Sequence, residues 1–345
     1  MRINKDQALE MLRSDDLMAI GMEAMAVRRK KTDPRIATYQ IDRNINYTNF
    51  CTEYCSFCAF YRPLGARDGY VLPLEEIYSK IDEMLELGGS GVLLQGGLHP
   101  DLRIEYYEML LRSLKQRYPR VHLHCFSAPE VLNIAELSQI SLRETIARLR
   151  DAGLDSIPGG GAEILDDEIR GRIARLKCTS DEWVLCHRTA HELGLRTTAT
   201  MMFGCGETLE HRVNHLERIR QLQDDTGGFT AFIPWIFAPE NTPLGKKVPQ
   251  ATAVDYLKTL AVSRIYLDNF DHIQSSWLTP GIKVCQVGLQ FGADDVGSIL
   301  IEENVVYAAG VRNRTNESEL RRIIVDAGYI PAQRDTLYRS YALKA

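Results

Sequence analysis

The feature that most restricts what this chain can fold into is a change of rhythm after residue 36. From there, short β-leaning runs alternate with longer segments whose apolar residues recur every three or four positions, the signature of repeated βα units and a parallel sheet. Eight runs are expected as strands, at 38–45, 91–94, 121–126, 156–159, 197–202, 230–235, 272–277 and 304–308. Helical patterns fall at 74–87, 104–117, 142–152, 181–193, 209–224 and 253–269. Eight such units predict an α/β fold, a closed (β/α)8 barrel of the TIM type, which needs about 250 residues plus extensions and so fits a chain of 345. Residues 1–36 are expected as an N-terminal helical extension, with two short helices between 5 and 31. Residues 37–345 are expected as the barrel with a C-terminal helical segment.

Composition narrows the function classes. A formal charge of −5 offers no polyanion-seeking surface, so nucleic acid is not an expected partner. The first dozen residues mix charge with apolar side chains and lack a signal-peptide core, and no run approaches the ~20 apolar residues of a membrane span. The expectation is a cytoplasmic protein without a membrane span.

In a parallel barrel the loops after the strands converge on one mouth, where active sites are built. Here those positions carry Gln95-Gly96-Gly97, Ser127, the run Gly159-Gly160-Gly161-Ala162-Glu163, Gly204 with Glu207, and Pro239 to Thr242. After the first run stands Cys51-Thr52-Glu53-Tyr54-Cys55-Ser56-Phe57-Cys58, a C-x3-C-x2-C loop. Three thiolates on one tight loop can ligate three irons of a [4Fe–4S] cluster. The fourth iron, lacking a protein ligand, is free to chelate the amino and carboxylate groups of S-adenosylmethionine and pass an electron to its sulfonium, starting radical chemistry.

The competing reading is a zinc loop or three structural thiols. Zinc wants a fourth ligand, and the two candidate pairs, His187-x3-His191 and His211-x3-His215, have no cysteine pair to match them. The remaining cysteines, Cys125, Cys178, Cys186, Cys205 and Cys285, are dispersed singly and read as small apolar residues. Around the loop, Phe57 reads either as a wall for the adenine or as core packing. The backbone of Gln95-Gly96-Gly97 suits the methionine ammonium or a plain turn. Glu163 suits the ribose hydroxyls or the first turn of a helix. Ser127, Gly204 and Glu207 complete the expected cofactor contacts.

These motifs, with Ala59-Phe60-Tyr61-Arg62 and Leu94-Gln95-Gly96-Gly97, resemble the radical S-adenosylmethionine group that contains the two futalosine-pathway enzymes of menaquinone biosynthesis and the deazaflavin synthases. Asn46-Tyr47-Thr48-Asn49, the string from Leu154 to Leu165, Ala199 to Gly204, Phe229 to Trp235, Ser276-Trp277 and Ile301 to Val306 are similar to the cyclic dehypoxanthine futalosine synthase family in particular. Ala238 and Pro280 stand where that pattern has glutamine. The resemblance implies dehypoxanthine futalosine as the small-molecule substrate and an electron donor such as flavodoxin or ferredoxin. It further implies a reaction in which a ribose hydrogen is abstracted and the carbon radical adds to the benzoate ring. A base must then take a proton. Asp294, Asp295, Gln274, Ser276 and His124 are the candidates for base and substrate contacts, and Trp235 for pressing the ring toward the ribose. Aminofutalosine synthase and deazaflavin synthase are the rival enzymes, and a structural iron–sulfur or zinc protein the rival from another class.

Overall fold

The computed structural model describes residues 2–343. Met1, in the expected extension, and residues 344–345, in the expected C-terminal segment, lie outside the described residues. Two helices open the chain, α1 (Lys5–Arg13) and α2 (Leu17–Lys31). α1 begins in a capping box, in which Asn4 accepts from the Gln7 N–H and the Gln7 side chain accepts from the Asn4 N–H.

The barrel strands follow in sequence order: β1 (Ile36–Gln40), β2 (Asp42–Ile45), β3 (Gly91–Leu94), β4 (His122–Cys125), β5 (Ser156–Ile157), β6 (Arg196–Phe203), β7 (Phe229–Ile236) and β8 (His272–Ile273). β2 to β8 form one seven-stranded, all-parallel sheet whose spatial order is the chain order. Between them lie α3 (Leu74–Glu86), α4 (Ile104–Arg117), α5 (Ala128–Ser138), α6 (Leu142–Ala152), α7 (Asp167–Ile173), α8 (Ser180–Glu192), α9 (Leu209–Thr226) and α10 (Ala253–Tyr266). They fill the crossovers between successive strands, with two helices each between β4 and β5 and between β5 and β6. α2 packs along α10 and α1 on α9, so the extension covers the outside of the barrel.

The sheet curls until its edges meet. The closing piece is β9 (Asp295–Ser298), which bridges to Gln274 at the end of β8 and pairs in parallel with β1, itself continuous with β2. This corrects one expectation. The run at 304–308 is not a strand but a short helix, α12 (Val305–Ala308), preceded by α11 (Ile282–Gly288). Val305 and Val306 suggest β structure, yet the Glu303 carboxylate accepts from the Val306 N–H and starts a helical turn. The true eighth strand carries Asp295 and Gly297, poor β-formers. A Cβ on Gly297 would lie 2.5 Å from Gln274 Nε2, so glycine is needed where Gln274 crosses the strand.

After α13 (Glu317–Asp326), β10 (Ile330–Arg334) and β11 (Tyr341–Leu343) extend β1 and β9 into a small second sheet. The C-terminal segment was expected to be helical and is part strand. It brings Arg334, Thr336 and Tyr338 under the barrel floor, where the strands begin. No helix among the described residues is long and apolar enough to cross a membrane.

Candidate active site: a two-chambered barrel

Strand alternation sends every second side chain inward. The interior holds two connected chambers, the upper about 280 Å³ and the lower about 290 Å³. Both are lined by Leu93, Gln95, Gly160, Gly161, Glu163 and Trp235, which form the wall between them.

Cys51, Cys55 and Cys58 all line the upper chamber, close enough for each thiol to feel the charge of another. Their loop is pinned from three sides: the Ser56 N–H donates to the Ile173 carbonyl, the Leu244 N–H to the Ser56 carbonyl and the Cys51 N–H to the Arg62 carbonyl. Arg62 pairs with Asp68 and donates to three carbonyls of its own loop. Among the described residues no three His, Cys, Asp or Glu side chains are grouped to hold a single metal ion. The histidine pairs have other work: His187 is buried against Trp183, His191 bonds Thr197 and Thr226, His211 caps α9 and His215 accepts from the Leu165 N–H. His187 and His215 are buried, and His191 and His211 half-buried, because each packs or bonds inside the helix layer.

Burial pushes the Cys55 thiol up to about 12, so ligation has to displace its proton. Beside it sits a group that composition and spacing did not single out. Lys177 is half-buried in the upper chamber, with Nζ 3.0 Å from Glu163 Oε1 and 5.3 Å from the centre of the Phe57 ring. Burial alone would lower its pKa, but Glu163 and Cys55 outweigh burial and raise it, so it stays charged.

Glu163 is buried at φ +42°, a left-handed conformation that costs a residue with a Cβ about 1–3 kcal/mol. Its Oε2 is buried without a hydrogen bond, 3.7 Å from Arg170. A strained acid with one buried oxygen lacking a donor is what a ligand's hydroxyls would satisfy. The Gly96 N–H is held by Glu130 and the Gly97 N–H by the Thr48 carbonyl, so the turn can offer an ammonium only carbonyl oxygens. A Cβ on Gly97 would lie 2.2 Å from the Phe50 carbonyl and 2.7 Å from Cys51 Cβ, so glycine lets the turn close against the cysteine loop. Buried Glu130, also unsignalled except by the S-x-x-E capping pattern, binds the Ser127 N–H and hydroxyl, Gly96 and the Tyr47 hydroxyl. Ser127 therefore lines the chamber with its hydroxyl already engaged.

The lower chamber collects His124, Gln274, Ser276 and Trp235, as alternation within their strands predicts, and adds Gln40, Asp42, Thr198 and Thr200. Burial holds the Asp42 carboxyl up to about 6, against the lesser opposing pull of the Ser298 hydroxyl that donates to it. Four expected site residues lie elsewhere. Asp294 is locked at the floor by Arg264 and by His272 at 2.6 Å, and Asp295 by Arg334 at 2.5 Å; both are buried outside either chamber, their acceptor capacity used. Glu207 accepts from the Gly204 and Cys205 N–H groups and from Arg212, all at 2.8 Å, so Gly204 and Glu207 brace the turn after β6 rather than face a ligand.

The comparisons with known proteins agree with this geometry. Residues 45–219 match the radical SAM superfamily, and residues 226–344 match the CofH/MqnC C-terminal region. A cyclic dehypoxanthine futalosine synthase of Halalkalibacterium halodurans is 48% identical over 98% of this chain and 91% of its own length. A 5-amino-6-(D-ribitylamino)uracil--L-tyrosine 4-hydroxyphenyl transferase of Methanothermobacter thermautotrophicus is 42% identical over 98% and 94%. Among solved structures, methylornithine synthase superposes with a TM-score of 0.73 at 21% identity over 96% of this chain and 95% of that one, a likeness of fold. The thiol loop at the mouth of a closed parallel barrel, together with these matches along nearly the whole length, places the chain in the radical SAM superfamily, as an enzyme carrying the CofH/MqnC C-terminal region.

Proposed function

We propose that this enzyme cyclises dehypoxanthine futalosine, with cofactor chemistry in the upper chamber and the substrate's benzoate and ribose in the lower one. The observation that carries the reading is the shared wall: Glu163 and Trp235 border both chambers, so a cofactor held above lies directly over a substrate held below. Similarity to a cyclic dehypoxanthine futalosine synthase over 98% of the chain supports the choice of substrate.

When bound, a [4Fe–4S] cluster and S-adenosylmethionine supply an electron and a hydrogen-abstracting group. Cys51, Cys55 and Cys58 would hold the former. Glu163 Oε2 would accept from the ribose hydroxyls of the latter, and the Gly96–Gly97 carbonyls from its ammonium. Lys177 balances the negative charge that three thiolates and Glu163 bring into one buried space. Phe57 gives the chamber an apolar wall and helps exclude water. Below, Trp235 bounds the space in which the ring must approach the ribose carbon, an alignment that is itself a large part of catalysis. Gln274, Ser276 and Thr198 offer donors for the benzoate carboxylate. An external one-electron carrier such as flavodoxin or ferredoxin would reduce the cluster.

The test is product identity. Reconstituted protein given dehypoxanthine futalosine, S-adenosylmethionine and a strong reductant without oxygen should yield 5′-deoxyadenosine and a product lighter by two hydrogens. Given the enolpyruvyl benzoate or the deazaflavin precursors, it should form neither adduct. Aminofutalosine or a fluorescent deazaflavin would overturn the substrate assignment.

A further inference from the structure

The lower chamber contains a hydrogen-bonded chain that the scheme above leaves unused. His122 and His124 are alternate residues of β4, so both rings turn into the barrel. Ser156, the fully buried first residue of β5, lies between them. Its Oγ is 2.6 Å from His124 Nδ1 and 2.7 Å from His122 Nε2. A hydroxyl has one proton, so between two imidazole nitrogens it donates to one and must accept from the other. The tautomers of the two rings are thereby locked together: a proton on His124 Nδ1 requires a bare Nε2 on His122. In that state His124 Nε2 is an open lone pair on a ring that lines the chamber. At the other end His122 begins its strand at the floor, is half-buried, and feels Asp155, Lys115, Asp335 and Arg339.

We propose that His124, Ser156 and His122 form a proton relay that carries the ring proton released on cyclisation from the lower chamber to the barrel floor. The proposal rests on the cyclase reading above. Once the new carbon–carbon bond forms, the attacked ring carbon still bears its hydrogen. Aromaticity returns when that C–H bond breaks with its electron pair left in the ring, one electron leaves to the oxidised iron–sulfur cluster, and the proton adds to His124 Nε2. The Nδ1 proton of His124 passes to Ser156 Oγ, and the Ser156 hydroxyl proton passes to His122 Nε2. His122 then releases its Nδ1 proton to solvent. Product departure exposes His124 Nε2–H and lets the chain return to its first state. Burial pushes His124 down to about 3, with His122 and Arg334 acting in the same direction, so this ring passes a proton on and does not store it. The rival acceptor is Asp42, in the same chamber but bonded only to Ser298.

Ser156→Ala cuts the relay and leaves both imidazoles. In unloaded protein with 15N-labelled histidine, the wild type should show one protonated and one bare nitrogen facing Ser156, and the variant should lose that correlation. In single turnovers of the reconstituted enzyme, Ser156→Ala should slow cyclised product by about 10²-fold or more while 5′-deoxyadenosine still forms. The wild type's solvent deuterium effect on product formation should vanish in that variant, and Ser156→Thr, which keeps the hydroxyl, should restore both. Wild-type rates with the isotope effect intact in Ser156→Ala would overturn the relay, as would a block of proton loss by Asp42→Asn alone. Absence of cyclised product from the wild type would instead overturn the functional reading, an outcome the Ser156 variants cannot mimic.

Discussion

The two ends of the barrel spend their charged groups in opposite ways. At the floor Asp294 is matched to Arg264 and His272, and Asp295 to Arg334 and the Thr38 hydroxyl. At the mouth the accounts are left open. Glu163 sits at φ +42° with an oxygen that nothing donates to, and Cys51, Cys55 and Cys58 share a chamber with charged Lys177. Paired acids at the floor close the ring through β9; at the mouth Glu163, ion-paired through Oε1 to Lys177, keeps Oε2 without a donor. Partnering, more than residue type or glycine neighbours, separates a structural carboxylate from a functional one.

The largest effect should come from the mouth. Changing Cys51, Cys55 and Cys58 together to Ala should abolish iron binding, the cluster's absorption and electron paramagnetic resonance signals, and all cleavage of S-adenosylmethionine. Retention of a full cluster would break the distinction at its root.

At the floor the expected loss is of stability. Asp294→Ala strands the fully buried Arg264 guanidinium, at a cost of about 3–5 kcal/mol, read as a lower denaturation midpoint. Burial alone would raise the Asp294 pKa, but Arg264, His272 and the Ile273 N–H together outweigh it and the net shift is downward. The folded state thus binds that proton less readily than the unfolded chain. The pair's contribution is therefore complete above the unfolded aspartate value near 4 and is lost as pH falls below it, a slope that Asp294→Ala should remove.

A smaller effect is expected at Glu163. Glu163→Gln keeps an acceptor toward Lys177 but weakens the bond offered to the ribose hydroxyls, so S-adenosylmethionine should bind about ten- to a hundredfold less tightly with the cluster intact. An unchanged dissociation constant would make Glu163 a structural group like the floor acids.

The sequence made the barrel legible because burial on both faces leaves parallel strands as compact apolar runs between helical periods. The 91–94 run and the 104–117 and 142–152 helices match the structure residue for residue. β9 was hidden because its pairing is held by buried ion pairs and a glycine under Gln274, none of which reads as strand propensity. The cysteine loop was legible because its ligands are adjacent in the chain. Lys177, Asp42 and Ser156 were not, since each acquires meaning only from groups far away in sequence, and Glu130 was signalled only by its capping pattern with Ser127. Asp294 and Asp295 misdirected the reading, because the arginines that neutralise them lie 30 and 39 residues away.

The division between the chambers is tested most directly at Trp235, on the wall they share. In anaerobic single turnovers with dehypoxanthine futalosine, Trp235→Ala should produce 5′-deoxyadenosine at close to the wild-type rate while cyclised product falls well behind it, because the indole positions the ring and takes no part in cofactor cleavage. Product keeping pace one-for-one with 5′-deoxyadenosine, as in the wild type, would contradict that account.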